Sequence, residues 1–208
     1  MINISEKKFD EILTIVSIIN DKELRERLME ALCNERDKKK DNNFIWQFVD
    51  VKNVYSCLRG VFHDAENKVA VASDGFKMVV SPKHYDERFA GKVVYKDGSV
   101  TNERFPLYKN VIPRDEILVP FEFRNFYTEI VKAKNMPYDK EKIKVGDRCV
   151  MLNNFVHGYG IGISLDNAKM IAKIGTDGWK RYEYMLVKKC DDGTIYMFMC
   201  KRNDEDEN

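Results

Sequence analysis

The chain has 208 residues, of which 44% are hydrophobic and 33% are charged, with 12 Phe and 10 Tyr. This composition excludes an intrinsically disordered protein and is typical of a globular protein with a buried core. The 35 Lys and Arg residues nearly balance the 34 Asp and Glu residues. The balance excludes a strong overall attraction to nucleic acid, so any DNA contact must come from a local basic face.

Two helices are predicted at the N-terminal end. Apolar residues at spacings of three and four follow the candidate N-cap Ser5, which predicts an amphipathic helix over 6–19. Asp21 can cap a second helix to about Asp37. The apolar stripe of this helix consists of Leu24, Leu28, Ala31 and Leu32. Charged and amide side chains fill 38–43, which predicts a loop and the end of a helical segment, 1–43.

Strand signals replace the helical period from residue 44 onwards. Runs rich in Val, Phe and other β-forming residues predict strands over 44–50, 57–63, 68–73 and 76–81. Pro82, Gly91 and the turn at 96–99 then place a short strand, 92–95, within a surface hairpin and loop. Residues 44–104 are therefore predicted to form one sheet region.

A second sheet region is predicted over 105–202. It begins with an extended connection, because Pro106 and Pro113 exclude a helix interior. The predicted elements after it are a helix over 121–134, strands over 142–152 and 155–163, a helix from Ser164 to Ile174, and a terminal hairpin over 182–189 and 194–201. The acidic tail, 203–208, is expected to be disordered. The predicted fold class is α+β, with mostly antiparallel sheets and helices packed on one face.

The cysteines and the N-terminal segment bear on the cellular compartment. The five cysteines are odd in number, widely spaced and without a Cys-x-x-Cys pair: Cys33, Cys57, Cys149, Cys190 and Cys200. This spacing argues against a disulfide framework and a zinc site, and predicts reduced thiols in a cytoplasmic protein. The first residues lack the apolar run of a secretory signal, and no stretch approaches 18 uninterrupted apolar residues, so we expect no membrane partner.

The sequence contains no pattern typical of catalysis or of a bound cofactor. The glycines at 158, 160 and 162 lack the G-x-G-x-x-G spacing of a dinucleotide loop. The three histidines are scattered, and the acidic pairs do not match a calcium loop, so no metal is expected. We predict a non-enzymatic protein without a cofactor. A metal-dependent nuclease or another enzyme is the alternative left open, since spacing alone cannot identify an acid–base pair among 34 carboxylates.

Three segments resemble the bacterial DNA sliding clamps, the polymerase III beta family. The first consists of Leu58-Arg-Gly-Val-Phe62 and Asn67-Lys-Val-Ala-Val-Ala-Ser-Asp-Gly-Phe-Lys-Met78, and it resembles the clamp pattern in which a leucine-x-glycine-valine strand turns back into the strand Ala-Thr-Asp-Gly-His-Arg-Leu. The second, Arg104-Phe-Pro-Leu-Tyr-Lys-Asn-Val-Ile-Pro113, resembles the Arg-Phe-Pro-Asp-Tyr-Arg-Arg-Val-Leu/Ile-Pro connector between clamp domains. The third, Ile195-Tyr-Met-Phe-Met-Cys-Lys-Arg202, is similar to the C-terminal Tyr-Val-Val-Met-Pro-Met-Arg-Leu strand. Their order and approximate spacing agree over 50–202, which is typical of a short, divergent clamp-like protein.

The resemblance implies a DNA-clamp-like fold and an apolar cleft that receives a short linear motif of a replication or repair protein. Carried over position by position, the cleft residues are Ser73, Gly75, Phe76, Lys77, Met78, Pro106, Val111, Met199, Cys200, Lys201 and Arg202. Methionine and phenylalanine make such a pocket adaptable. Cys200 and Lys201 stand where the family has proline and methionine, which changes the expected peptide specificity. The alternative interpretation is that these side chains are ordinary sheet core.

Contact with duplex DNA is a further implication of the resemblance, because clamps are rings with basic residues on the helices that line them. The candidate residues on predicted helices are Lys7, Lys8, Arg124, Lys132, Lys134, Lys169 and Lys173. Acidic residues are interspersed among them, so the expected contact is weak, salt-sensitive and made by a homo-oligomer. The resulting hypothesis is a clamp-like protein that binds a partner peptide. The alternative is a clamp-fold regulatory or interaction protein that does not bind DNA.

Overall fold

A computed structural model describes residues 6–135, 149–156 and 159–202. Contacts between residues divide the chain into two compact units, Met1–Gln47 and Phe48–Asn208. Most of the two predicted sheet regions, 44–104 and 105–202, therefore lies in the second unit. The acidic tail at 203–208 and most of the strand predicted over 142–152 lie outside the described residues.

From residue 6 onwards, where the structure describes it, the first unit contains two α-helices, α1 (Glu6–Ser17) and α2 (Lys22–Ile45), and the turn between them. Asp21 caps α2 as predicted, because its Oδ1 accepts a hydrogen bond from the backbone N of Leu24 at 3.0 Å. The loop predicted over 38–43 is wrong, since α2 continues through it. The segment holds no Gly or Pro, and a helix extends cooperatively through polar residues that do not break it. The strand predicted over 44–50 is also wrong, because these residues finish α2 and form a 3₁₀ turn, Trp46–Phe48.

Among its described residues, the second unit contains two antiparallel sheets and two α-helices. Its helices are α3 (Phe126–Asn135) and α4 (Leu165–Ile174). Its strands are β1 (Gly60–Asp64), β2 (Val69–Ser73), β3 (Lys77–Ser81), β4 (Val93–Tyr95), β5 (Val100–Thr101), β6 (Val119–Pro120), β7 (Cys149–Val156), β8 (Tyr159–Ser164), β9 (Trp179–Tyr182), β10 (Met185–Lys189), β11 (Ile195–Met199) and β12 (Lys201–Arg202). The described strand pairs are antiparallel, which confirms the α+β, mostly antiparallel class.

The longer sheet joins the two predicted sheet regions. Its nine strands lie in the order β5-β4-β1-β2-β3-β11-β10-β9-β6, and a separate sheet has the order β12-β8-β7. The joint is the pairing of β3 with β11, in which Met78 lies opposite Met197. As a result, strands that are more than a hundred residues apart in the chain are hydrogen-bonded neighbours. The first and third clamp-like segments are therefore adjacent.

Two predicted boundaries differ from the structure for local reasons. α3 begins at Phe126, later than the predicted start at 121, because Phe121 N donates to the carbonyl of Trp179 at 2.9 Å instead of entering a helix. Asn125, just before α3, has a positive φ of 52°, which a helix does not accommodate. β9 is absent from the predicted elements, and the hairpin predicted from residue 182 begins with β10.

Other parts of the second unit cover both faces of the long sheet. Successive side chains along each strand point to opposite faces, so each buried residue can be assigned to one of the two. On the face of Met78 and Met197, buried residues pack with Phe105, Tyr108 and Leu118 of the segment that follows β5. We call this the connector face, and residues 104–113 the connector. On the opposite face, Phe198 packs against Phe48 and Trp179, with ring centroids 5.7 and 5.8 Å apart. In the smaller sheet, α3 contacts β7, and α4 contacts both β7 and β8.

Candidate partner-binding surface

The turn between β2 and β3 is held by the side chains of two of its own residues. Asp74 Oδ1 accepts hydrogen bonds from the backbone N of Phe76 and of Lys77, both at 2.8 Å. Ser73 Oγ accepts from Gly75 N at 3.1 Å and donates to the carbonyl of Lys77 at 2.9 Å. Gly75 has a φ of 95°, a conformation that other residues rarely adopt. The turn therefore fixes the backbone of Phe76, whose side chain is 71% exposed.

Phe76 begins a row of apolar side chains across the end of the long sheet. Met199 N donates to the carbonyl of Phe76 at 2.7 Å, and the β3–β11 register makes these residues neighbours. Met199 lies opposite Met185, and Met185 lies opposite Tyr182. Residues that face each other across antiparallel strands project from the same side of the sheet. We call Phe76, Met199, Met185 and Tyr182 the terminal row.

The terminal row borders the buried core of the connector face. The next row along the strands is Met78, Met197 and Val187, all buried. In contrast, Met199 is 43% exposed, and Met185 is only partly buried. The row thus continues an apolar core outwards to the surface at the end of the sheet. Such contiguous exposed apolar surface is typical of an interaction site.

The connector is fixed to the same face by one aromatic stack and one buried hydrogen bond. The rings of Phe62 and Phe105 stack with centroids 5.1 Å apart. Tyr108 Oη donates to Asp64 Oδ2 at 2.6 Å. Burial and this hydrogen bond raise the pKa of Tyr108 above its ordinary value. Burial opposes ionisation of Asp64, but hydrogen bonds from Tyr108 and Asn67 keep the pKa of its carboxyl group below its ordinary value. The connector is therefore attached to this face by contacts at Phe105 and Tyr108.

The structure brings together some of the predicted cleft residues. Phe76 and Met199 are neighbours in the terminal row, and Ser73 and Gly75 build the turn beside them. Val111, in the 3₁₀ turn Tyr108–Val111, is exposed, and the next residue, Ile112, packs against the buried core of the connector face. The structure therefore joins residues of the first and third clamp-like segments at the terminal row, while Val111 of the second segment is exposed on the connector.

Other predicted cleft residues have different surroundings. Met78 is buried, so it lies beneath the surface rather than on it. Lys77 lies on the opposite face of the sheet by alternation, and its Nζ forms an ion pair with Asp74 Oδ2 at 2.8 Å. Pro106 lines an open pocket of about 500 Å³ with Phe62, Tyr108 and other residues near the connector, and none of 73–78 is among the lining residues in the described chain.

The chain leaves the long sheet at Met199, where β11 ends, and continues into β12 of the smaller sheet. Cys200 N donates to the carbonyl of Tyr184 at 2.6 Å, and Lys201 and Arg202 pair with Gly162 and Ile161 of the smaller sheet. The predicted cleft residues 200–202 thus belong to the transition between the two sheets. The surroundings of the Lys201 and Arg202 side chains lie outside the described part of the structure.

Met185 and Tyr182 were not identifiable from the sequence as surface partners of Phe76. The clamp resemblance does not include their segment, and their part in the terminal row arises from the pairing of β9, β10 and β11. The only sequence signal was the predicted terminal hairpin, which places Met185 on a strand next to Met199. A prediction of the hairpin register would have been needed to find them.

The predicted DNA-contacting residues lie in both units. Lys7 and Lys8 are on α1, Arg124 precedes α3, and the others are on α3 or α4: Lys132, Lys134, Lys169 and Lys173. Lys132 Nζ pairs with Glu129 Oε1 at 2.7 Å, and Lys169 Nζ pairs with Asp166 Oδ1 at 3.0 Å. The α3 and α4 helices contact each other. The basic charge on these helices is thus partly neutralised by neighbouring carboxylates.

The chemistry of the described residues gives no candidate metal centre. Within 6–135, 149–156 and 159–202, no group of three His, Cys, Asp or Glu side chains is arranged to hold a metal ion. In the same ranges, no helix has the length and apolar character needed to cross a bilayer. Comparisons with protein-family models, curated proteins and solved structures found no match to this chain.

Proposed function

We propose that this protein is a non-enzymatic clamp-like protein that binds an apolar peptide segment of a replication or repair protein at the terminal row. The observation that carries the proposal is the exposure of Phe76 and Met199 at the edge of a buried core. A DNA-clamp-like fold belongs to the same proposal and is supported by the joined sheet and by the three similar sequence segments.

The physical argument for a peptide ligand rests on the kinds of side chain in the row. Methionine is flexible and polarizable, so Met199 and Met185 can adapt to different apolar side chains. Phe76 and Tyr182 provide aromatic surface at a low cost in conformational entropy. Complete burial of an exposed apolar side chain contributes roughly 1.5–3 kcal/mol. Two or three such contacts supply about 3–9 kcal/mol, from which the cost of association and of ordering the peptide is subtracted, so the expected affinity is weak.

Two versions of this function differ in their contact with DNA. In the first, an oligomer of the protein contacts duplex DNA through the basic residues of its helices. In the second, the protein regulates or competes for clamp partners and does not bind DNA. The ion pairs of Lys132 and Lys169 and the net charge of +1 favour the second version, because both reduce the attraction to phosphate. Salt-dependent retention on duplex DNA distinguishes the two.

Peptide binding is tested by fluorescence anisotropy with a labelled clamp-binding peptide. Phe76→Ala is expected to weaken binding about tenfold to thirtyfold, as truncation of a central contact does, and Met199→Ala severalfold. Val100→Ala is the matched control, because Val100 is 42% exposed, as Met199 is 43% exposed, but lies on β5 at the other end of the sheet order. No binding at high micromolar concentration, or equal losses in the control, would contradict the proposal.

The absence of enzymatic activity is part of the proposal and has its own test. Incubation with single-stranded and duplex DNA, with Mg²⁺ or Mn²⁺, is expected to leave the DNA intact. Metal-stimulated turnover that co-purifies with the protein would support the enzyme alternative.

A further inference from the structure

The open pocket beside the connector lies where the chain leaves the edge of the long sheet. β5 pairs with β4, and the chain then crosses to the connector face, where Phe105 stacks on Phe62. The pocket has a volume of about 500 Å³, and its lining residues include 102–105, Phe62 and Gly91. We call it the connector pocket. Its volume is within the range of pockets that bind ligands.

The backbone of 102–105 has hydrogen-bonding groups that the protein does not use. In the described part of the chain, the N–H groups of Arg104 and Phe105 and the carbonyl groups of 102–105 make no hydrogen bond. Phe105 is only 7% exposed, so water has little access to its backbone. In folded proteins, nearly all backbone groups at such buried positions have a partner. A ligand in the connector pocket would supply the partner that Phe105 lacks.

The alternation of an extended chain directs the N–H and C=O groups of Phe105 towards the pocket. Backbone groups of every second residue point to the same side of such a chain. Tyr95 N donates to the carbonyl of Ser99 at 2.8 Å, so Ser99 faces β4, and Phe105 lies six residues further along, on the same side. Pro106 restricts Phe105 to extended conformations. Gly91, which lines the pocket, precedes β4 on that side.

Most charged groups that line the connector pocket have partners within the protein. Lys109 Nζ pairs with Glu66 Oε2 at 2.9 Å, and Glu103 Oε2 accepts a hydrogen bond from the hydroxyl of Ser56. The carboxylate of Asp64 accepts four hydrogen bonds. An ionic ligand would compete with these contacts. A neutral ligand that both donates and accepts hydrogen bonds fits the unused backbone groups better, and an extended peptide backbone is such a ligand.

We propose that the connector pocket binds an extended peptide segment of another protein, whose backbone pairs with the N–H and C=O groups of Phe105. In this mode of recognition, main-chain hydrogen bonds supply affinity and a pocket receives a side chain. The partly buried ring of Phe62 and the exposed side chain of Leu107 favour an apolar side chain there.

The connector pocket is separate from the terminal row. It lies at the Asp64 end of β1, which is paired with the start of β2 at Val69. The terminal row lies beside the turn at the other end of β2, where Ser73 is opposite Met78. The inference therefore does not rest on the proposed peptide site.

Selection of random heptapeptides displayed on phage, with the full-length chain as the target, tests the proposal. Recovered peptides are synthesised with a fluorescent label, and their affinity is measured by anisotropy. Gly91→Asn is expected to weaken binding about tenfold or more, because the new side chain occupies the pocket. Gly91 has a φ of 74°, which asparagine tolerates, and a Cβ at this position meets no atom within 4 Å.

Gly98→Asn is the matched control and is expected to bind as the wild type does. Gly98 has a φ of 87° and equally open surroundings, but it is not among the residues of the described chain that line the pocket. Unchanged circular dichroism spectra show that both variants are folded.

Backbone pairing has its own test. Alternate N–H groups of an extended peptide point to opposite edges, so N-methylation of its odd or of its even residues blocks one edge at a time. One methylated peptide is expected to bind about tenfold more weakly, the effect of lost backbone hydrogen bonds, and the other to bind as the parent peptide does. The NMR signal of the Phe105 amide is expected to shift downfield when the peptide binds.

Three results would overturn the proposal: no recovered peptide that distinguishes Gly91→Asn from Gly98→Asn, equal binding of the two methylated peptides, or an unchanged Phe105 amide signal. Phe76→Ala is expected to leave binding of these peptides unchanged. A loss in that variant would also overturn the proposal, because it would assign the peptides to the terminal row.

Discussion

At the scale of single residues, Tyr108 fixes the connector to the long sheet. Its hydroxyl donates to the buried carboxylate of Asp64, which also accepts hydrogen bonds from the backbone N of Glu66 and Asn67. Tyr108→Phe is expected to reduce the free energy of unfolding by about 1–2 kcal/mol, because it leaves one charged acceptor position unsatisfied. Urea unfolding measures the change. Tyr55→Phe, at an exposed tyrosine, is the control.

The stabilisation that the Asp64 carboxyl group provides is expected to depend on pH. Its pKa is lower in the folded protein than the ordinary value of 3.8. The stabilisation is therefore complete above pH 3.8 and is lost as the pH falls through the folded-state pKa. The difference between wild type and Asp64→Asn should accordingly be smaller in strong acid than at pH 7. A difference that does not vary with pH would contradict this account.

His63 is a second buried titratable residue with a pH-dependent effect. Its Nδ1 accepts a hydrogen bond from Asp86 N at 3.1 Å, and its ring lies near Tyr85 and Phe89. Burial lowers the pKa of His63 below 6.5, although Asp86 opposes this and His84 reinforces it. Below pH 6.5 the unfolded chain takes up a proton first, so stability falls as the pH falls.

The matched variant for His63 is His63→Asn, because the amide oxygen can replace Nδ1 as the acceptor without titrating. The decrease in melting temperature between pH 7.5 and pH 5 is expected to be smaller in this variant. His63→Phe removes the acceptor and should lower the melting temperature at every pH. An Asn variant with the full wild-type pH dependence would assign the effect to other residues.

At the scale of elements, the β2–β3 turn contributes both to the stability of the fold and to the proposed peptide-binding surface. Asp74→Ala removes the acceptor for Phe76 N and Lys77 N together with the Lys77 ion pair. We expect it to reduce the free energy of unfolding by about 1–2 kcal/mol, as loss of an N-cap-like acceptor does, and to weaken peptide binding by releasing Phe76. Asp74→Asn retains an acceptor oxygen and should lose less. Equal effects of both variants on folding and binding would show that the charge, and not the turn, is what matters.

The elements that the sequence predicts well are those with strong local signals. β2, β3 and the turn between them follow from alternation and the Ser73-Asp74-Gly75 sequence, and α4 follows from its cap Ser164 and its apolar period. Residues 38–43 differ from their prediction because a polar composition ends a helix only where a helix breaker accompanies it, and this segment contains no Gly or Pro. The sequence does not predict β9, because its alternation of buried and exposed residues is short and its position depends on pairing with β10.

In the candidate site, too, local features follow from the sequence, whereas features that depend on strand pairing do not. The exposure of Phe76 next to a tight turn is a local property, and the resemblance supplied Met199 as its neighbour. Burial of Met78 and the orientation of Lys77 to the opposite face depend on the strand register and on the connector that covers Met78. Met185 and Tyr182 required the pairing of two further strands. The sequence therefore indicated where the surface begins but not how far it extends.

At the scale of the whole molecule, the near balance of charge limits any contact with DNA. With a net charge of +1 and ion pairs on α3 and α4, we expect no retention on duplex DNA at physiological salt, and any retention that does occur is confined to low salt. The logarithm of the binding constant should fall with a shallow slope against the logarithm of salt concentration, since few phosphates are neutralised. Electrophoretic mobility shifts over a salt series measure this slope. Tight binding at physiological salt would contradict the expectation.

The most direct test of the terminal row is a peptide titration monitored by NMR of the methionine methyl groups. The chain has nine methionines, two of which, Met185 and Met199, belong to the row. Addition of a clamp-binding peptide is expected to shift these two methyl resonances saturably, with little change at Met29 on α2 or at buried Met170 on α4. Phe76→Ala should reduce the affinity measured from those shifts. Binding that leaves Met185 and Met199 unperturbed, or no binding at all, would contradict the account.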